Sequence, residues 1–539
     1  MPKLELNETE IEMWTGLTPS SYYTIDWEEP DANTRHPGLM VAHAVFMSTA
    51  FFGALPIGIA LRSVKHPAHP VAVFSFYALC VLGWASGALY TKMTPNMWHG
   101  SLGWVVLFFA ATLTAIDIFA GIHRCIAYLR SGDKFNLKTF WQTVVLNKRM
   151  ALGGLDAEYT SLVQEPEEYE DKQAANNTNE RIRHHRRSSE GTVFDAESAT
   201  SSMDALNNIK SRAHDSSSEG TRLALIGNIA FATAERVLVF AGFALVLSGI
   251  VVYTGGCRGD RINICLAHLI KGGIFWCYGL LTFARFLGSF AEFGWAWNKS
   301  PSANAYSAEF VESLVIFTYG ASNTWMERFG AKAGDPYTTK QIQHISIAVM
   351  FWFAGLIGMG IESRRIRKWL ASSTTTSIDR SRLHKEASVE PPSYTGSFNP
   401  FPALVIGVTG AAMAAHAQAY VFEVQIHQLW GNLLVAFSVL RCFTYFFLWV
   451  APPKSVLPSR PPTEALGSFF LACGGLVFML STEEVSIAAM RRGRDDVMMF
   501  LNVAVAMTCF AFCWTICMVG FKGWLKARAK LAPAHRIIA

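Results

Sequence analysis

The stretch MVAHAVFMSTAFFGALPIGIALR, Met40 to Arg62, decides the fold. It carries no charge before its closing arginine and is long enough to cross a hydrocarbon layer of about 30 Å as a helix. Backbone polar groups have no water to bond to at that depth, so a helix that satisfies them internally is the expected form. One residue does not suit lipid. His43 lies near the start of the stretch, and a titratable ring at membrane depth is expensive enough to mark a site.

The rest of the chain repeats the pattern. Half of its 539 residues are apolar (51%), 13% are aromatic and only 16% are charged, with a formal net charge of +5. The apolar residues gather into runs that predict about eleven transmembrane helices: 38–62, 71–91, 98–126, 223–254, 264–296, 307–326, 341–361, 401–420, 425–450, 463–482 and 497–521. The expected fold class is therefore an all-α polytopic membrane protein whose immediate partner is the lipid bilayer. The sixth run is the weakest because it contains Glu309 and Glu312. The first begins too far into the chain for a signal-peptide core and lacks a cleavage context, so it reads as a retained helix.

Lys and Arg orient the helices. Basic clusters follow the first run (Arg62, Lys65), the third (Arg124, Arg130, Lys134, Lys138), the seventh (Arg364, Arg365, Arg367, Lys368) and the last (Lys522, Lys526, Arg528, Lys530). Eleven crossings with the acidic N-terminus outside and the C-terminus cytosolic put all four in the cytosol. Arg491, Arg492 and Arg494 run against this. The chain then divides into an extracytosolic tail 1–37, three helices in 38–128, a loop 129–222, four helices in 223–362, a loop 363–399, four helices in 400–521 and a basic tail 522–539. The membrane is one of the secretory pathway, the vacuole or the cell surface.

Both insertions read as disordered cytosolic segments, because polar stretches of this kind cannot bury enough apolar surface to fold. In RIRHHRRSSEG, Ser188 and Ser189 follow a basic cluster as a basophilic kinase requires, while the same cluster also suits anionic lipid headgroups. Pro391, Pro392 and Tyr394 form a PPSY motif of the type gripped by WW domains, which suggests a WW-domain ubiquitin ligase as partner. Asn7, in Asn-Glu-Thr, is an N-glycan acceptor if the tail is outside, whereas Asn176 stays bare in the cytosol. Cys257 and Cys265 flank an outside turn and could form a disulfide or remain two thiols. Cys509, Cys513 and Cys517, four apart on the last helix, read as packing residues.

If the helices alternate, His43 and His99 share a depth near the outer surface. Two imidazoles from two helices at one level are what a six-coordinate haem iron needs from a helical bundle. Gly100 and Gly103 beside His99, and Gly53 and Gly58 on the first helix, would make room for a flat macrocycle. The stretch HAVFMSTAFFGALPIGIALR resembles the first core helix of the transmembrane cytochrome b five-sixty-one family, and WHGSLGW resembles its third. That resemblance covers residues 36–128 and 223–255 and implies that His43 and His99 ligate one haem b. It also implies a departure. The family's second haem takes histidines from its second and fourth core helices, but here the second offers only His69, beside His66, and the fourth reads Glu235-Arg236-Val237-Leu238. The bland alternative makes His43 and His99 interhelical hydrogen bonders.

The whole chain is more closely similar to the fungal Ytp-type transmembrane proteins. The stretches ERVLVFAGFALVLSGIVVYTG, LTFARFLGSFAEFGWAWN, FTYGASNTWMERFG and IHQLWGNLLVAFSVLRCFTYFFLW carry this likeness. It implies a multipass membrane location and no settled activity. The same depth argument sets His268, Glu327, His344, His416 and His427 near the outer level, where zinc, copper or iron could bind. Helix ends gather polar residues in any case. Phosphate loops, dinucleotide fingerprints, serine-nucleophile elbows and nucleic-acid modules are absent from the sequence. The leading expectation is a haem-binding electron-transfer protein with an unassigned donor and acceptor. The alternatives are a scaffold or transporter-like protein without the cofactor, and a metal-dependent membrane enzyme.

Overall fold

A computed structural model describes residues 2–7, 9, 36–90, 98–131, 136–140, 143–144, 218–254, 256–257, 262–301, 306–326, 334–377 and 398–531. Eleven helices occupy the eleven apolar runs: α1 Pro37–Ser63, α2 His69–Leu89, α3 His99–Arg130, α4 Ser218–Thr254, α5 Ile262–Leu287 and α6 Ala308–Met326, followed by α7 Thr339–Glu362, α8 Phe401–Ala414, α9 Val421–Val450, α10 Pro462–Leu480 and α11 Val497–Leu531. Nine are long and apolar enough to span a membrane. The exceptions are α6, with its two glutamates, and α8, with 14 residues. Among the described residues there is no strand, only a backbone bridge from Lys3 to Tyr420.

The predicted ends shift where local chemistry stops a helix. Helix α5 closes at Leu287 because Gly288, at φ +109°, turns the chain into a loop that runs beneath the bundle. Helix α8 closes six residues before its predicted end, at Ala414. Arg364–Ser377 is helical, so the second insertion begins as a basic helix continuing from α7. A short helix, Glu483–Arg491, lies between α10 and α11 and ends on the first of the three arginines that run against the charge rule. In the first insertion Leu137–Phe140 is helical and α4 already begins at Ser218, while residues 145–217 and 378–397 fall outside the described residues.

Two apolar cores form. In the first, Phe51, Phe76, Val106 and Leu238 bring α1 to α4 together. In the second, Trp430, Leu434, Leu471 and Phe478 gather α5 to α10. Helix α10 is the axis of this second bundle, with 67% of its most apolar stretch buried. It approaches α5 backbone to backbone: a Cβ on Gly475 would lie 2.4 Å from the Trp276 amide nitrogen. Gly410 of α8 and Gly431 of α9 meet in the same way. Such small-residue contacts replace the hydrophobic effect as the source of helix pairing in lipid.

Helix α11 joins the bundles. Pro56 has no N–H to donate to the Phe52 carbonyl one turn earlier, and α1 widens into a π-turn over Ala50–Ala54 just before it. The Phe52 carbonyl instead accepts a hydrogen bond from Trp514 Nε1 at 2.7 Å. Further along α11, Leu525 packs with Ala60, Leu61 and Ala72, while Phe512 stacks on Phe283 of α5 at 3.9 Å.

Candidate functional site

His43 and His99 face one another across α1 and α3, with ring centroids 6.0 Å apart and planes at 81°. His43 Nδ1 lies 2.8 Å from the Gly83 carbonyl, which can only accept, so a neutral His43 carries its proton on Nδ1 and its lone pair on Nε2. His99 Nδ1 is 2.9 Å from Ser248 Oγ. Helices α2 and α4 thus hold the outer nitrogen of each ring, as supporting groups do for metal-bound histidines. A metal between two imidazoles needs two bonds of about 2 Å plus the half-width of each ring, which is close to the observed spacing. Two imidazoles so held are nitrogen donors of the kind that could hold a metal centre between them.

Gly100 and Gly103, expected to make room, border open space with nothing within 4 Å, whereas Gly53 and Gly58 face Thr49 and Ala72. Gly87 of α2 abuts His43, where a Cβ would stand 2.8 Å from Nδ1, and Gly249 of α4 lies against His99. The helices that pack on the imidazoles supply the small residues, not the helices that carry them.

The opposite end of the first bundle holds a different cluster. Arg62 pairs with Glu235 at 3.0 Å and Asp117 at 3.3 Å, with its guanidinium 3.8 Å from the Phe231 ring centre. His69 lies 3.6 Å from Asp117 and bonds the Gly58 carbonyl at 3.1 Å. These groups border a cavity of about 70 Å³. Where the resemblance would require a second pair of imidazoles, His69 faces a carboxylate and Glu235 answers Arg62.

The C-terminal histidines separate into two pairs. His268 meets His427 at 5.9 Å and His344 meets His416 at 6.0 Å. One pair joins α5 to α9, and the other joins α7 to the chain just past the end of α8. The five-residue group expected for one metal does not assemble: among the described residues no three His, Cys, Asp or Glu gather, and Glu327 lies outside them.

A larger polar site sits at the other end of the second bundle. Five buried charges alternate in a ladder, Glu309–Arg285–Glu312–Arg441–Glu464, drawn from α5, α6, α9 and α10. Arg285 bonds Glu309 at 3.2 Å and also Glu312; Arg441 bonds Glu312 at 3.3 Å and Glu464 at 2.6 Å. Arg441 is 2% exposed and Glu464 1%. The loop after α5 seals the ladder from below: the Trp297 ring centre lies 4.5 Å from the Arg285 guanidinium and 5.0 Å from that of Arg441, and Asn298 ties the loop to the Val456 carbonyl at 2.6 Å.

Compared with known proteins, residues 241–523 match the family model described as Protein YTP1-like, C-terminal. The chain belongs to the YTP1-like family. Residues 26–125 match a second model, Domain of unknown function (DUF2427). An uncharacterized membrane protein of Schizosaccharomyces pombe, C3B8.06, is 31% identical over 96% of this chain and 99% of its own length. In Saccharomyces cerevisiae, Uncharacterized membrane protein YCR061W is 34% identical over 56% of this chain and 49% of its own length. Protein YTP1 from the same yeast is 25% identical over 54% of each chain. No solved structure matches. The family supports a multipass integral membrane protein. All five ladder charges lie within the YTP1-like match, whereas His43 and His99 lie in the DUF2427 match.

Other sequence-derived residues fall as follows. Cys257 and Cys265 are joined by a disulfide with Cα atoms 5.2 Å apart, and the Cys257 amide donates to Glu484 at 3.2 Å. Cys509, Cys513 and Cys517 are free thiols on the outward face of α11, not packed between helices. Asn7 is exposed. Ser188, Ser189, Pro391, Pro392, Tyr394 and Asn176 lie outside the described residues. The ladder was missed in the sequence even though it left a signal: Arg285, Glu309, Glu312 and Arg441 each interrupt an apolar run, and intramembrane charges of opposite sign are expected to find one another.

Proposed function

We propose that the N-terminal four-helix unit of this YTP1-like membrane protein binds one b-type haem between His43 and His99 and serves in electron transfer. The observation that carries this reading is the opposed pair of imidazoles at 6.0 Å, each anchored through Nδ1 by a neighbouring helix. A bound haem would supply one-electron exchange. The chain's own contribution is to fix both rings, keep the lone pair of His43 on Nε2 and exclude side-chain bulk at Gly87 and Gly249. With ion pairs at the opposite end of this bundle, one haem per chain is expected, and the electron donor and acceptor must act at one surface.

The test is a reduced-minus-oxidised visible spectrum of protein purified after haem-replete expression. Wild type should show one haem per chain, His43→Ala and His99→Ala should lose it, and His69→Ala should keep it. Variants must be matched for yield and detergent stability. Absence of haem in wild type would defeat the reading, and two haems, or survival in His99→Ala, would mean other ligands.

A second reading, a transporter-like protein without a cofactor, is favoured by the buried ladder, since intramembrane charges commonly mark substrate or proton pathways. Either reading places the N-terminal tail outside and both insertions in the cytosol, where PPSY would recruit a WW-domain ubiquitin ligase.

A further inference from the structure

The ladder does not balance. Arg285 and Arg441 carry two positive charges that proteins do not remove, whereas Glu309, Glu312 and Glu464 carry three negative charges if all are ionised. All five side chains are nine-tenths buried or more. A buried charge without a counter-charge is costly enough that a titratable group normally neutralises instead.

We propose that the ladder is a proton-binding site holding one exchangeable proton on Glu464. The alternation leaves two terminal carboxylates, with Glu312 in the centre bonded to both guanidiniums. Glu309 and Glu464 each have one arginine, and each lies in the first turn of its helix, where the dipole favours a carboxylate equally. Burial distinguishes them: the Glu464 side chain is 1% exposed and that of Glu309 8%. Glu464 Oε2 is fully buried, and the nearby Thr444 hydroxyl already donates to the Leu440 carbonyl at 3.2 Å, a poor setting for an anionic oxygen.

Three buried polar atoms belonging to this cluster lack partners: Arg441 Nε, Tyr445 OH and Trp297 Nε1. Tyr445 and Trp297 are in ring contact at 6.1 Å, beneath the same guanidinium. The Arg441 end of the ladder thus keeps hydrogen-bonding capacity that its ion pairs leave unused. The titratable and charged groups facing the site are Tyr278 and Arg285 from α5, Glu309 and Glu312 from α6, and Arg441 and Tyr445 from α9. On α7, Glu362 accepts from Ser307 at 2.6 Å, and Lys454 and Arg460 in the covering loop are exposed. With the proton bound the ladder is neutral; without it one negative charge remains inside the bundle. This inference stands apart from the haem reading, since no residue is shared.

The experiment is infrared spectroscopy of the purified full chain at neutral pH, in water and in deuterium oxide. Wild type should show a protonated-carboxyl C=O band that shifts on deuteration. Glu464→Gln should abolish the band, and Glu464→Asp should move it, whereas Glu309→Asp, which keeps the charge of the ladder, should leave it in place. A neutral amide mimics the protonated acid, so Glu464→Gln should melt with wild type, while Glu312→Gln should melt lower. No protonated-carboxyl band in wild type would overturn the proposal, and so would a band that persists in Glu464→Gln or moves in Glu309→Asp but not in Glu464→Asp. The wild-type band tests the proton itself whether or not a variant folds.

Discussion

Gly87 has no side chain, and His43 depends on that. A methyl group there would stand 2.8 Å from Nδ1, closer than Cβ atoms approach real neighbours, so the imidazole would have to turn away from the Gly83 carbonyl. If the pair holds the proposed haem, Gly87→Ala is expected to weaken its retention by roughly 10-fold or more, the usual scale for disturbing a group that orients a ligand. Gly100→Ala adds its methyl to open space and should leave the spectrum unchanged. Equal spectra from the two variants would remove His43's seat from the account. His43 itself was readable as a polar ring in an apolar run. Gly87 was not, because a glycine matters here only through the helix that happens to lie opposite.

At the scale of elements, Pro56 and Trp514 form one device. The proline removes the N–H one turn beyond the Phe52 carbonyl, and α11 gives that carbonyl an indole donor. Trp514→Phe keeps a ring near Phe52 but removes that donor from the part-buried carbonyl. The expected loss is about 1–3 kcal/mol, read as a lower thermal midpoint in detergent. Trp524→Phe, on the same helix and half exposed, should stay within about 0.5 kcal/mol. A Trp514→Phe midpoint equal to that control would show that α11 docks by packing alone. The proline was visible in the sequence as a helix disturbance. Its partner comes from the far end of the chain and is specified by no local pattern.

For the whole molecule, the tail bridge from Lys3 to Tyr420 and the contact between Cys257 and Glu484 join segments that an eleven-fold alternation puts at one end. If that end is extracytosolic, Asn7 should carry an N-glycan and Asn176 should not. Loss of a mobility shift in Asn7→Gln checks this, and a glycan on Asn176 would invert the protein. The opposite end would then present PPSY to cytosolic ligases. Tyr394→Ala is expected to lengthen the protein's half-life and to end capture of WW domains by a peptide spanning 385–399. An unchanged half-life without such capture would dispose of that partner.

Membrane residence, the eleven helices and most of their ends follow from the order of residues alone. Hydropathy is a sum over neighbours, and lipid forces each apolar run to satisfy its own backbone. Pairing is of another kind. Glu309 and Glu312 read only as flaws in the weakest helix until α5, α9 and α10 bring arginines and a third carboxylate to them. The same holds for the C-terminal histidines, which share a depth by alternation yet divide into two pairs because different helices touch. A helix sets a side chain's height along its own axis; which side chain stands opposite depends on close backbone contacts such as Gly475 against Trp276, made between residues remote in the chain.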